Sequence, residues 1–293
     1  MSDLYKRSKI INWLCNTGLY QGILWGCLIY ITSATNDVLM GLLGQRLPAI
    51  EIAFFRFLFS LLVISVPVFI NRRKYLKTSI HSLHLLRGIL GAIALGLCCY
   101  SVKVMPLAEN TTILFSESLF VLPLSYIFLR EKVSLKVVIA NIIGFCGLLL
   151  MYHPRASNFN IMALIPTIAA ALFASMDILI KKMINNNEHT ITMLFFFALY
   201  TTMLSGVFVP SVWTTPTMHE LILILLLGIG ANIIQLFIFL AYRATTASNL
   251  SVVRYIELPI AILFGYLFFG QIPQTYALIS ATLIIIGTYI MAI

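Results

Sequence analysis

Ala34-Thr35-Asn36-Asp37-Val38-Leu39 returns 140 residues later as Ala174-Ser175-Met176-Asp177-Ile178-Leu179. Working outward at the same offset, Lys103 falls on Arg243, Glu117 on Glu257, Tyr126 on Tyr266, Gly147 on Gly287 and Met151 on Met291. One constant spacing carries the matches across most of each half, so the chain is a tandem repeat. In so apolar a chain, the repeat predicts two copies of one membrane bundle packed together, with the working site between them.

Composition fixes the solvent. Hydrophobic residues make up 60% of the 293 residues, charged residues 10%, and mean hydropathy is +0.99. Windows of about 20 apolar residues place ten spans at roughly 19–42, 49–70, 84–103, 108–129, 134–152, 160–181, 189–209, 219–241, 247–270 and 274–292. Transmembrane strands would be about half as long and alternate in polarity. The fold class that follows is all-α integral membrane. Its units are a cytoplasmic N-terminal segment (1–18), a first five-helix repeat (19–152) and a second (160–292). The connecting loops leave little room for a catalytic module outside the bilayer.

Lys and Arg set the orientation. With a cytoplasmic N-terminus, the inside segments hold Lys6, Arg7, Lys9, Arg72, Arg73, Lys74, Lys77, Arg87, Arg130, Lys132, Lys136, Lys181, Lys182 and Arg243, against Arg46, Lys103 and Arg155 outside. Fourteen against three predicts cytoplasmic N- and C-termini. The net charge of +9 is therefore spread over short loops as topology signals and anionic-lipid contacts. Nucleic-acid binding needs clustered charge and is excluded. Five spans per half is an odd number, so the second repeat enters from the opposite face and the two are inverted. Leu19–Leu42 is too long for a signal-peptide core. Cys15, Cys27, Cys98, Cys99 and Cys146 lack metal-ligand spacing and read as small buried hydrophobes. Trp13 and Trp213 suit the interfaces.

Ionisable residues at membrane depth are costly unless paired or hydrated, so they mark the candidate site. They are Asp37, Arg56, Glu117, Asp177, Arg254 and Glu257. Arg254 and Glu257 are three apart and can pair on one helix face. Pro259 frees the carbonyl of Tyr255 and Pro123 that of Leu119, so the fourth and ninth helices should both break near a mid-depth glutamate. Glu117 has no partner on its own helix, although Asn110 lies two turns earlier on the same face. Arg56, flanked by Phe54, Phe55 and Phe57, can clamp a carboxylate or pair with Glu51 or Asp37. Asp37 and Asp177, near span ends, can bond loop amides or Lys181, which favours a structural role. Phe55 and Tyr255 can stack on a ring or cation. His81 and His84 fall in the basic second connection and His153, His189 and His219 in loops or span ends, so no metal site is expected. Esterase, zinc-protease and P-loop patterns are missing. The chain therefore reads as no enzyme, needing no cofactor, and as a secondary transporter.

Two five-helix repeats, Gly-rich ends of the fifth and tenth spans and the Leu129-Arg130-Glu131 turn resemble the EamA-type drug/metabolite transporter superfamily. More narrowly, SATNDV (Ser33–Val38), EIAFFRF (Glu51–Phe57), LLRG (Leu85–Gly88), MDILIKK (Met176–Lys182), MLFFFA (Met193–Ala198) and RYIELP (Arg254–Pro259) are similar to the S-adenosylmethionine uptake transporters of intracellular bacteria such as rickettsiae. That resemblance implies the drug/metabolite transporter fold, a bacterial inner membrane, and uptake of S-adenosylmethionine in exchange for S-adenosylhomocysteine. Glu117, Glu257 and Asp37 would serve the sulfonium and ammonium, Arg56 or Arg254 the carboxylate, and an aromatic face the adenine. Around Ser116-Glu117-Ser118 the chain departs from the pattern, which has an apolar residue and then Pro. Glu117 therefore rests on the depth argument alone. The competing expectations are export of amino acids or other amphiphilic metabolites, and a membrane enzyme or non-transporting subunit.

Overall fold

Lipid offers no hydrogen bonds, so an apolar span must satisfy its backbone internally. Every predicted span accordingly contains helix in the computed structural model, which describes residues 18–104, 113–152, 161–269 and 275–292. Ten long helices lie among the described residues: α1 (Leu19–Leu43), α2 (Ala49–Ile70), α3 (His81–Val104), α4 (Ile113–Leu129), α5 (Leu135–Tyr152), α6 (Leu164–Asn185), α7 (Thr190–Gly206), α8 (Met218–Ala244), α9 (247–269) and α10 (Thr275–Ala292). Their ends follow from local chemistry. Pro48 precedes α2. Thr217 opens α8 through a reciprocal box: its hydroxyl accepts from the Glu220 N–H at 3.3 Å, and a Glu220 carboxylate oxygen accepts from the Thr217 N–H at 2.6 Å. His189 Nδ1 caps α7 by accepting from the Ile191 N–H at 3.2 Å. Burial, with Lys74 and Arg243 nearby, lowers the His189 pKa and keeps that nitrogen free to accept. Large apolar side chains such as Leu62, Phe69, Leu135, Ile222, Leu267 and Tyr289 stay exposed, as the lipid-facing surface of a membrane bundle requires.

The 140-residue offset carries Leu135–Tyr152 onto Thr275–Ala292 and the C-terminal end of α3, Val104, onto that of α8, Ala244. Helix neighbours come in the matching pairs that a twofold axis in the membrane plane demands. α1 packs on α8 and α6 on α3; α2 packs on α8 and α7 on α3; α4 packs on α6 and α9 on α1. The pairs α2–α7, α4–α9 and α5–α10 cross the axis. The repeats thus interlock, the first helix of each half seated against the third helix of the other.

Small residues permit the close crossings. A Cβ on Gly88 would lie 2.4 Å from Tyr200 Cβ, and one on its repeat partner Gly228 would lie 2.7 Å from Phe59 Cβ and 2.9 Å from the Ser60 backbone nitrogen. Gly147 and Gly287 sit in the α5–α10 crossing, where added Cβ atoms would come within 3.2 Å of Ser280 O and 3.1 Å of Ala140 O. The glycines from Gly144 to Gly147 therefore pack within the chain.

Two readings of the second connection need correction. His81 and His84 belong to the first turn of α3, and His84 is buried against the Phe196 ring at 4.9 Å. Arg87 is no loop cation: it lies further along α3 and is 1% exposed. Trp213 meets Phe55, ring centroids 5.7 Å apart. Asn110, Trp13 and Cys15 lie outside the described residues, as do the side chains of Asp37 and Cys99.

Candidate functional site: a charged chamber at the helix breaks

Both axis-crossing helices of the α4–α9 pair lose regular winding beside a glutamate. In α9 an α-helical segment, Ala247–Val253, gives way to a 3-10 turn at Arg254–Ile256, and α-helix resumes at Glu257. Pro259 explains this, because the Tyr255 carbonyl it frees falls inside the turn. In α4 the irregularities flank the Leu119 carbonyl freed by Pro123: α-helix is interrupted by a turn at Ser116 and resumes at Glu117, and Ser125–Leu129 winds as π-helix. Side chains at i and i+3 eclipse in a 3-10 turn. Arg254 and Glu257 therefore point to one side, while Tyr255 is carried to the other.

That side is a chamber of about 210 Å³ among α1, α4, α6, α8 and α9. Tyr30 and Ser33 line it from α1, Glu117 and Ser118 from α4, Asp177 from α6, Ile234, Ile238 and Tyr242 from α8, and Ser251, Arg254 and Glu257 from α9. Arg254 donates from a terminal nitrogen to Glu117 Oε1 at 2.8 Å, with the two side chains 29% and 3% exposed. Its guanidinium also lies 5.6 Å from the centre of the Phe115 ring. Asp177 faces the same chamber as Glu117 and Tyr242. The chamber thus gathers three carboxyl groups around one guanidinium. A larger void of about 510 Å³ lies among α2, α3 and α7, but its lining, including Phe57, Leu95, Leu204 and Phe208, holds no charged side chain to orient a solute.

Five of the expected residues fall elsewhere or outside the described side chains. The chamber brings together Glu117, Arg254 and Glu257. Tyr255 is fully buried behind it, its ring parallel to Phe115 at 6.4 Å and packed on Gly144. Phe55 is buried among Phe54, Phe59 and Trp213. Arg56 lies on the same helix, with Met40 Sδ 3.9 Å from one of its nitrogens. Glu51 is taken by another partner and accepts from the Thr214 N–H at 2.9 Å. Arg254 pairs between helices with Glu117, and Glu257 lines the same chamber. Lys181 does not meet Asp177; its ammonium donates to the carbonyls of Tyr242 and Thr245 at the end of α8.

Sequence reasoning favoured a structural role for Asp177 and passed over Tyr30, Ser33 and Tyr242 as chamber residues. It also misread Arg87, whose guanidinium donates to Gln235 Oε1 at 2.9 Å and Met193 O at 3.2 Å and stacks on Phe197 at 4.1 Å. The available signal was Asp177 itself, residue 14 of the 22 in α6 and so mid-helix.

Inverted five-helix repeats that interlock around a mid-depth charged chamber define a membrane transporter. The chain belongs to the EamA-like transporter family, whose model matches residues 20–153 and again 160–293. It is 36% identical over 267 residues to an S-adenosylmethionine uptake transporter of Rickettsia bellii, covering 91% of each chain. It is 25% identical over 279 residues to the pseudopaline exporter CntI of Pseudomonas aeruginosa, covering 92% of this chain and 95% of that one. A crystal structure at 18% identity superposes with a TM-score of 0.76 over 93% of this chain and 95% of the other, so the fold is shared.

Proposed function

We propose that this transporter takes up S-adenosylmethionine across a bacterial inner membrane, with both termini cytoplasmic, by exchange with S-adenosylhomocysteine and alternating access of the two repeats. The observation that carries the reading is the Glu117–Arg254 pair with Asp177 and Glu257 beside it. S-adenosylmethionine has a carboxylate for the guanidinium, and a sulfonium and an ammonium for the carboxyl groups. Tyr30 and Tyr242 supply ring faces for the adenine. Its amino-acid end can slip between Arg254 and Glu117, replacing an internal ion pair with two pairs to the cargo. The desolvation cost of the buried charges is then shared between the empty and loaded states. The rickettsial relative's cargo supports the same reading. The Lys and Arg bias, thirteen to three with Arg87 set aside, supports the orientation.

The exporter in Pseudomonas supports a second reading, outward carriage of an amphiphilic amino-acid derivative. Uptake of labelled S-adenosylmethionine into expressing cells separates the two. Accumulation that excess external S-adenosylhomocysteine suppresses is expected. No uptake and no competition would remove this cargo, and resistance of the expressing strain to an accumulated metabolite would then favour export.

A further inference from the structure

We infer that Ser118 is a specificity-determining residue: when the amino-acid end of the cargo parts Arg254 from Glu117, the Ser118 hydroxyl donates to the cargo's carboxylate beside the guanidinium. This role rests on the cargo reading above.

A hydroxyl on a helix ordinarily donates to a carbonyl of its own preceding turn. α4 does this on either side of Ser118: Ser116 Oγ donates to Ile113 O at 2.5 Å, and Ser125 Oγ to Leu122 O at 2.9 Å. Ser251, which lines the chamber from α9, donates to Ser248 O at 2.8 Å. Ser118 also lines the chamber, yet its Oγ is fully buried and makes no hydrogen bond of ordinary geometry. Thr192 and Thr202 of α7 hold buried hydroxyls in the same condition, but neither lines the chamber. Burying a hydroxyl without a partner costs stability, so one kept in a chamber wall calls for a partner that arrives with the ligand. Arg254 carries a second such donor. Its terminal nitrogen bonds Glu117 at 2.8 Å, while its Nε is buried without a hydrogen bond.

The repeat supplies a control. At the 140-residue offset Ser118 falls on Leu258, which is 2% exposed, and Arg254 falls on Leu114. Glu117 thus has Ser118 beside it and Arg254 against it, whereas the mirrored positions around Glu257 are both leucine. An aliphatic side chain fills the equivalent place on the other side of the axis, so packing does not require the hydroxyl. Both polar replacements gather at one glutamate. A carboxylate presents about four lone-pair sites. Among the described residues the chamber offers three carboxyl groups as acceptors for the cargo's cationic groups, against one guanidinium for its carboxylate. Donors are what the lining is short of, and Ser118 and Arg254 Nε hold unpaired ones. Displacing Arg254 from Glu117 opens the wall next to Ser118, so the hydroxyl stays dry until the amino-acid end is in place. A site built to donate at that point rejects a cargo lacking the acceptor.

The test uses the purified full chain in lipid nanodiscs, with Kd from calorimetry and Tm without ligand. Ser118→Ala should weaken S-adenosylmethionine binding about tenfold. Its ligand-free Tm should equal or exceed that of the unaltered protein, because no bond is lost. Ser118→Cys, a weak donor, should fall between the two in affinity. S-adenosylmethionine lacking its carboxylate should bind the unaltered protein and Ser118→Ala equally. Thr202→Val, which removes a buried unpaired hydroxyl away from the chamber, should leave Kd unchanged. An unchanged Kd in Ser118→Ala would overturn the proposal, and so would a lowered ligand-free Tm, which marks a structural hydroxyl. Equal loss of affinity for cargo with and without the carboxylate would overturn the carboxylate as acceptor. Failure of the unaltered protein to bind S-adenosylmethionine would sink the cargo reading and this role with it.

Discussion

The pairing of Glu117 with Arg254 can be measured by a double-mutant cycle with Glu117→Gln, Arg254→Gln and the two combined. Removing one partner of a buried ion pair costs about 3–5 kcal/mol, because it strands the other charge. Here Arg254 keeps 29% of its side chain open to the chamber, whereas Glu117 keeps 3%. Asp177 and Glu257 also act electrostatically on Arg254. Glu117→Gln should therefore fall at the low end, about 3 kcal/mol. On the scale of soluble chains that corresponds to roughly 6–12 °C in Tm. Arg254→Gln strands a carboxylate that can take up a proton, so its cost should be smaller and should shrink further at low pH. The double variant leaves two neutral amide groups that can hydrogen-bond each other. It should be no less stable than the worse single variant, giving a coupling of about 2–3 kcal/mol. Unfolding in detergent micelles by heat and by denaturant supplies the stabilities. Uptake of labelled S-adenosylmethionine should be lost in all three variants, because the restored protein still lacks the charges that meet the cargo. Additive stability losses would refute the pairing, and transport recovered in the double variant would refute the role of those charges in binding.

Two further outcomes test the scaffold. Gly228→Ala and Gly88→Ala place a methyl 2.7 Å from Phe59 Cβ and 2.4 Å from Tyr200 Cβ, so each should cost about 1–3 kcal/mol. Gly96→Ala, with nothing within 4 Å of its Cβ, should be neutral or slightly stabilising; equal melting temperatures for all three would contradict the crossings. Glu131, in the α4–α5 turn, accepts from the Ala247 and Ser248 N–H groups at 3.1 and 3.2 Å, tying the first repeat to the N-terminus of α9. Glu131→Ala should remove about 1 kcal/mol of capping and open that face about fivefold more often. Maleimide labelling of a Cys placed at Ser251 in a cysteine-free background reads the change, and an unaltered rate would mean that the tie does not hold that face shut.

How much of this was legible in the sequence depends on what each feature needs. The ten helices were legible because a bilayer leaves an apolar span little other choice. The inversion was legible because an odd helix count follows from the same spans. The Glu117–Arg254 pair joins residues 137 apart, and no periodicity reports such a contact. The rule for neighbours on one helix pointed to Arg254 with Glu257, and both do face the chamber. Arg87 was misread because a cation near the start of a span counts as a topology signal. Only its packing among Phe197, Gln235 and Met193 reveals a buried guanidinium. Asp177 was judged alongside its repeat partner Asp37, so whatever distinguishes the two was averaged away.

That averaging shows where the function resides. The carboxyl groups obey the repeat: Glu117 matches Glu257, and Asp37 matches Asp177. The groups that complete the chamber break it. Arg254 matches Leu114, Tyr242 matches Val102, Tyr30 matches Ala170 and Ser33 matches Phe173. A twofold scaffold makes the two open states similar in packing, so a small differential affinity suffices to switch between them. A twofold lining, however, could not tell one end of a zwitterion from the other. Placing on α9 the one lining guanidinium among the described residues gives the chamber a polarity that its backbone lacks, and an asymmetric cargo can then be held in one orientation. Putting an arginine at Leu114 and removing Arg254 moves that polarity to the other repeat. Cargo affinity should then fall even though the chamber's net charge is unchanged; equal affinity would mean that charge alone, and not its position, selects the solute.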